Sequence, residues 1–421
     1  MQNKPKPTHK FARAIMALGP AFMAIGYTIG TGSVTSMIVA GNNYGMKLLW
    51  VLLLSCTFSW VLMEAYGRFT LVTGQTALYG IKNNLKGGHV IAILIIVGVT
   101  IGQWNSLIGI LGISANVMFE ALTLFFPALQ SNEYSIVILI AIVILSIMYV
   151  VLWQGRYSYL EKVLIFFVSL MAISFVLSLF FVMPSSAEIA GGLIPNIPQV
   201  EGGNMLVAAF VGTTMASATF LSRSLFVKGK NWGIDNLSDQ SNDARVAAIL
   251  IFVISGSIMA ISAGALYGKG ETISKVFEMV YVLQPILGDY AVTIFILGIL
   301  GAGLSSVFPI LLITPILIAD YQSGELDIKS KQFKIITGIA CLTGLTVPVF
   351  GANPINAQIL TQVFNVFVLP LVIISIFFLL NRTSLMGRYR ASLAINIGMV
   401  TAFIFSCIIS FAGAAAIIDM M

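Results

Sequence analysis

Eleven stretches of at least about 18 mostly apolar residues, near 14–40, 47–70, 90–126, 134–153, 159–183, 204–229, 244–268, 290–318, 332–350, 356–381 and 391–418, follow one another along the chain. About 20 residues of α-helix cross the hydrocarbon of a bilayer. Lipid offers no partner to a backbone N–H or C=O, so each such stretch must close its own hydrogen bonds as a helix. The sequence therefore predicts an all-α polytopic membrane protein. Its composition agrees: 58% of the 421 residues are hydrophobic and 9% charged, a balance outside that of soluble domains. No loop exceeds a few tens of residues, which leaves no room for an aqueous catalytic domain. An enzyme is therefore not expected. The third stretch is too long for one straight span, which predicts a tilted or broken helix.

Basic residues give the orientation. Lys4, Lys6, Lys10, Arg13, Arg68, Lys82, Lys86, Arg156, Lys162, Arg223, Lys228, Lys230, Arg245, Lys329, Lys331, Lys334, Arg382, Arg388 and Arg390 fall on one side. That is 19 of the 22 Lys and Arg, with only Lys47, Lys269 and Lys275 opposite. The positive-inside rule then puts the N-terminus in the cytoplasm and, after an odd number of spans, the C-terminus outside. A bacterial inner membrane is the expected location. The net charge of +6 follows from these flanks, so no nucleic-acid partner is implied. The partners expected are the lipid bilayer and a small transported solute, with the chain acting as a monomer. The loop holding Asp320, Glu325, Asp327, Lys329, Lys331 and Lys334 reads as charged and solvated. Cys56, Cys341 and Cys407 lie far apart in apolar segments and read as packing residues. His9 and His89 sit near segment ends, so no histidine metal site or proton relay is expected within the membrane.

Two segments are too polar and too flexible for an ordinary spanning helix. The first contains Ile29-Gly30-Thr31-Gly32-Ser33, a poor helix interior. The sixth contains Gly212-Thr213-Thr214-Met215-Ala216-Ser217-Ala218-Thr219. Each opens a group of five spans. Paired interruptions at matching places in two halves mark inverted-repeat transporters, whose substrate site lies at the breaks. Non-helical backbone is accordingly expected over Gly30 to Ser33 and Thr213 to Thr219. An alternative reading is packing: Gly26-x-x-x-Gly30 also suits close helix approach, and the hydroxyls can bond back to their own helix.

Further residues resemble a known family. Gly41-x-x-x-Gly45-x-Lys47-Leu48-Leu49-Trp50-Val51-Leu52-Leu53-Leu54 is similar to the end of span 1 and start of span 2 in Nramp-type divalent-metal transporters. Val72-Thr73-Gly74, Gly155-Arg156-Tyr157-x-x-Leu160-Glu161-Lys162, Gln362-Val363 with Leu369-Pro370, and Leu385-Met386-Gly387 resemble later parts of the same family. The resemblance implies a LeuT-type fold of five plus five inverted helices with an extra eleventh: one transporter domain over 1–421, with repeats 14–183 and 204–381 and the added helix at 391–418. It also implies where the solute binds. Aligned from Gly41 and Lys47, Gly30, Thr31, Gly32 and Ser33 take the places of the family's Asp-Pro-Gly-Asn metal motif. Ala216, Ser217 and Ala218 take those of its Met-Pro-His, with Met215 one position early. Arg223 stands for the family's second histidine of span 6. Gln103 and Ser106 stand for acids of its proton route, and Gln362 keeps the span-10 glutamine.

The substrate-binding set expected on this basis is Gly30, Thr31, Gly32, Ser33, Gln103, Thr214, Met215, Ala216, Ser217, Thr219 and Gln362. A metal would be held in the same cavity by Ser33, the Ala216 backbone and Gln362, without a cofactor. Such a site lacks the carboxylates, sulfur and imidazole that bind dehydrated divalent ions tightly. Two readings remain: a metal cation of the magnesium kind, carried without the family's proton route, or a non-metal organic or anionic solute on the same fold. A non-transporting receptor or scaffold finds no support in a signalling tail. Glu64 and Arg68, four residues apart on one helix face, read with Arg223 as gating or structural groups.

Overall fold

The computed structural model describes residues 19–154, 157–196, 203–268, 284–325, 328–350 and 354–419. Residues 1–18, Arg156, Lys269, Lys275 and Asp327, which entered the reading of charge, lie outside that set. The described residues are helical with no strand. Among the described residues ten stretches are long and apolar enough to cross a membrane, and the pair Pro20–Thr28 and Thr31–Tyr44, bent by 55°, makes an eleventh as one broken span.

In chain order the helices are α1 (Gly19–Thr28), α2 (Thr31–Tyr44), α3 (Leu49–Thr73), α4 (Ala77–Asn84), α5 (Gly88–Phe125), α6 (Glu133–Trp153), α7 (Tyr157–Leu179) and α8 (Ser186–Gly191). Then come α9 (Gly203–Thr214), α10 (Ser217–Gly229), α11 (Leu237–Leu266), α12 (Gln284–Ser323), α13 (Lys331–Gly344), α14 (Thr346–Phe350), α15 (Pro354–Val363), α16 (Leu369–Asn381) and α17 (Leu393–Asp419). The first and sixth apolar stretches are each split in two, as α1/α2 and α9/α10. The tenth is also split: a 3₁₀ turn at Phe364–Val366 separates α15 from α16, a break not anticipated from sequence.

The third stretch is not broken. α5 runs unbroken for 38 residues, about 57 Å at 1.5 Å per residue, well beyond the hydrocarbon thickness. Its glycines explain part of this. A Cβ on Gly98 would lie 2.8 Å from Val368 Cγ2, one on Gly102 2.5 Å from Asn365 Oδ1, and one on Gly109 2.3 Å from Gln358 Oε1. These small residues do not kink the helix; they let the tenth span lie directly against it.

The solvated reading of Asp320 is also corrected. α12 continues to Ser323 and ends where Gly324 adopts φ +69°, its N–H bonded to Asp320 O. Asp320 is therefore still helical, and it is fully buried. Its carboxylate accepts hydrogen bonds from the Thr76 hydroxyl and from the N–H groups of Leu78 (3.1 Å) and Tyr79 (3.3 Å). It thus caps α4, where donors would otherwise be orphaned. Lys82 Nζ to Tyr321 O (2.9 Å) and Lys228 Nζ to Gly324 O (2.7 Å) complete this corner.

Candidate functional site

The breaks are shorter than the sequence suggested. Only Ile29 and Gly30 leave the helix in the first, and only Met215 and Ala216 in the sixth. Thr31, Gly32 and Ser33 form the first turn of α2; Thr213 and Thr214 end α9; Ser217 and Thr219 begin α10. Two residues suffice because nearby hydroxyls take over the freed carbonyls. Ser306 Oγ donates to Gly26 O (2.6 Å), Thr213 Oγ1 to Thr28 O (3.3 Å), and Ser59 Oγ to Thr214 O (2.9 Å). Each partner comes from a different element, so the open backbone is satisfied by protein.

The packing reading of Gly26 and Gly30 also holds, at the break itself. A Cβ at Gly26 would come within 2.9 Å of Ser305 O and 3.2 Å of Pro309 Cγ; one at Gly30 would come within 2.5 Å of Ser306 Oγ. Pro309 has no N–H to give to Ser305 O, so that carbonyl faces the Gly26 surface. Close approach and interruption are one feature here.

The two breaks meet at a small cavity of about 10 Å³, lined by Thr28, Gly30, Gly32, Ser33, Gln103, Ser106, Thr213, Ala216, Ser306, Gln362 and Asn365 with three larger side chains. That is room for about one water. Of the expected binding residues, Gly30, Gly32, Ser33, Gln103, Ala216 and Gln362 line it. Thr31, Thr214, Met215, Ser217 and Thr219 do not. Thr214 Oγ1 turns back to Phe210 O (2.9 Å) and Thr219 Oγ1 to Thr28 Oγ1 (3.4 Å). Met215 is buried in the core, because a step of one residue at a helix end swings the side chain by about 100°. The sequence missed Thr28, Ser306 and Asn365. Asn365, three residues after Gln362, had a signal in that spacing; Ser306 lies in a stretch with no polar cluster beyond Ser305.

Asn365 organises the amides. Its Oδ1 accepts from Gln103 Nε2, and its Nδ2 donates to Ser106 Oγ and Gln362 Oε1, each at 2.9 Å. The buried oxygens Ser33 Oγ and Gln103 Oε1 have no partner in the protein. The lining contains no carboxylate, imidazole or sulfur, and among the described residues no group of three His, Cys, Asp or Glu could hold a metal. A larger hollow of about 350 Å³, lined by residues including Tyr44, Lys47, Glu188 and Tyr267, opens where α2 ends. It is a surface recess remote from the breaks.

The charged groups lie outside the cavity. Arg68 Nη2 and Nε meet Glu64 Oε1 at 2.7 and 3.1 Å within α3. Arg223 does not face a vestibule. It is 1% exposed, and its Nη2 sits 2.6 Å from Asp243 Oδ2 and 3.1 Å from Gln240 O. Asp243 Oδ1 accepts from Ala21 N (3.3 Å), and Gln240 Nε2 donates to Glu64 O (3.1 Å). This cluster ties α10, α11, α3 and the start of α1 together. The partner of Arg223 lies 20 residues further on in another helix, so spacing gave no sign of it.

Broken helices that meet at a polar cavity inside a bundle of membrane-spanning helices define a membrane transporter of the LeuT type, not an enzyme. The chain belongs to the Nramp family: the model for natural resistance-associated macrophage protein-like sequences matches residues 21–416. Similar proteins include the divalent metal cation transporter MntH of Vibrio campbellii, 25% identical over 389 residues with 91% of this chain and 88% of that protein covered. MntH of Aeromonas hydrophila is 25% identical over 391 residues, covering 91% of each. Among solved structures, the Eremococcus coleocola manganese transporter, in complex with an aromatic bis-isothiourea compound, shares the fold with a TM-score of 0.78 at 14% identity, covering 98% of this chain and 89% of that one. MhsT in complex with L-phenylalanine gives a TM-score of 0.62 at 15% identity, covering 100% of each.

Proposed function

We propose that the chain carries a divalent metal cation across the bilayer by alternating access through the central cavity. The observation behind this is the family relationship over nearly the whole length, to proteins named as divalent metal cation transporters. The donor set sets the expected preference. Hydroxyl, amide and carbonyl oxygens without charge suit a hard ion that keeps much of its water, such as Mg²⁺, better than soft ions that gain from sulfur or nitrogen. Ser33, the Ala216 carbonyl and Gln362 are the proposed ligands, beside Gln103. Glu64–Arg68 and Arg223 would act as structural or gating pairs. We place the N-terminus in the cytoplasm of a bacterial inner membrane on the distribution of Lys and Arg, and take the unit as one monomeric domain with repeats 14–183 and 204–381 and an appended helix.

The test is a proteoliposome uptake panel with calcein or Magnesium Green inside. Saturable Mg²⁺ entry that exceeds Mn²⁺ and Cd²⁺ entry supports the reading. Micromolar Mn²⁺ binding by the unmodified protein would show the site to be wrongly read. A second reading, a non-metal solute, is favoured by one observation: the cavity is lined with amides and holds no acid.

A further inference from the structure

Among the described residues, Lys47 is the only Lys or Arg on the face that the charge distribution places outside, where basic residues are scarce. With Glu188 it lines the recess of about 350 Å³ at the end of α2. Both side chains are exposed and their charges are opposite, yet among the described residues neither has an ion-pair partner. Lys47 Nζ stands 5.9 Å from the centre of the Tyr267 ring. Glu188 Oε2 accepts from Ser185 N (2.9 Å) as part of the cap of α8, which leaves Oε1 for another donor. A recess with an unmatched cation and an unmatched carboxylate on its wall suits a ligand that carries both charges.

Two features favour an ammonium as the positive part. α2 and α11 end beside the recess, at Tyr44 and Leu266, and each helix C-terminus carries about half a negative charge. The Tyr44 and Tyr267 side chains line it, and aromatic faces attract ammonium groups. The wall is preformed. Trp50 donates from its backbone N to Gly192 O (2.9 Å) and from Nε1 to Asn196 O (3.2 Å), and a Cβ on Gly192 would lie 2.2 Å from Met46 O.

One rim is apolar. Phe180, Phe181, Met183, Leu193 and Ile194, which flank α8, are all exposed. Ile194 also lines the recess. A Cβ on Gly264 would lie 2.8 Å from Val182 O, so the Phe181–Met183 segment abuts α11 next to Ala263 in the recess wall. Acyl chains would take this rim out of water.

We propose that the recess seats the headgroup of a zwitterionic phospholipid of the outer leaflet. Its phosphate lies on Lys47, its primary ammonium on Glu188 and the tyrosine faces, and its chains run along Phe180, Phe181 and Ile194. Seated there, the lipid ties the outer end of the broken first span to α8 and α11. The site is separate from the central cavity and does not depend on which solute that cavity carries.

The full chain, purified in detergent, is titrated with dioleoyl phosphatidylethanolamine in mixed micelles while the thermal unfolding midpoint is followed. Dioleoyl phosphatidylglycerol has the phosphate and the chains without the ammonium. Glycerophosphoethanolamine has the headgroup without the chains. The ethanolamine lipid should raise the midpoint saturably. Glu188→Gln keeps the cap, which Gln also makes. It should weaken the ethanolamine lipid by about fivefold, the upper end for one ion pair at an exposed site, and leave the response to the glycerol lipid unchanged. Lys47→Gln should weaken the ethanolamine lipid by a similar factor, and decides the matter if Glu188→Gln does not fold. The inference is overturned by the lack of a saturable shift, by unchanged affinity in either folded variant, or by an equal loss of both lipids in Glu188→Gln. Saturation by glycerophosphoethanolamine at the concentration that suffices for the lipid overturns the lipid as occupant.

Discussion

Gly32 and Gly30 are where single atoms decide most. Gly32 is a glycine because the amide nitrogens of Gln362 and Gln358 occupy the Cβ position, 2.2 and 2.4 Å away. Gly32→Ala must push both amides aside; overpacking of this kind costs typically about 1–3 kcal/mol. It should lower the unfolding midpoint and abolish uptake of whichever solute is carried, and unchanged transport would show that the amides do not contact the solute. Gly30 bears on the metal question. Restoring the family's chemistry with Gly30→Asp and Ala216→Met would place a Cβ 2.5 Å from Ser306 Oγ and 2.8 Å from Ser306 Cβ. The double variant should therefore bind Mn²⁺ poorly. Adding Ser306→Gly, at about 0.5–1 kcal/mol for glycine in a helix, should bring calorimetrically measurable Mn²⁺ binding. Equal binding by the double and triple variants would mean that Ser306 is no obstacle. The sequence placed Gly30, Gly32 and Gln362 at this site; it gave no hint that a serine in the eighth span stands where a carboxylate stem would go.

Helices are held in place here by buried pairs between elements remote in sequence. Arg223 and Asp243 join α10 to α11 and hold Ala21 N–H at the start of α1. Removing one partner of a buried pair leaves an uncompensated charge, costing about 3–5 kcal/mol, while removing both can be nearly neutral. Arg223→Met should lower thermal stability sharply, and Arg223→Met with Asp243→Leu should recover much of it. If the double variant is as unstable as the single, the pair is not what binds these helices. Transport by the double variant gives a separate readout: faster uptake would mark the cluster as a latch on α1. The Glu64–Arg68 pair was legible because both residues share one helix face at a spacing of four. Arg223–Asp243 was not, because no local period connects neighbouring helices.

For the molecule as a whole, the charge pattern of the pathway determines how transport can be driven. Gln103, Ser106 and Ala218 occupy the positions that the family resemblance assigns to its proton route, and none of these side chains titrates near neutral pH. Substrate uptake into proteoliposomes should therefore proceed without acidification of the lumen. A substrate-dependent proton influx, read with a trapped pH dye, would show another route.

Some of this the chain determined alone. Long apolar runs in a solvent without hydrogen bonds can only be helices, so the number and place of the spans follow from composition and length. Glycine, serine and threonine in the first and sixth spans mark the breaks because they weaken a helix wherever they stand. Tertiary structure decided how wide each break is, since that depends on which hydroxyls arrive from Ser59, Thr213 and Ser306 to take the freed carbonyls. It also decided that α5 stays whole, because Gly98, Gly102 and Gly109 serve the tenth span packed against them. It aimed Ala216 into the cavity and left Met215 out, and it brought Asp320 back from an apparent loop to cap α4. Local sequence carries backbone propensity and the period of a face; which distant residue fills the space opposite is a property of the packed whole.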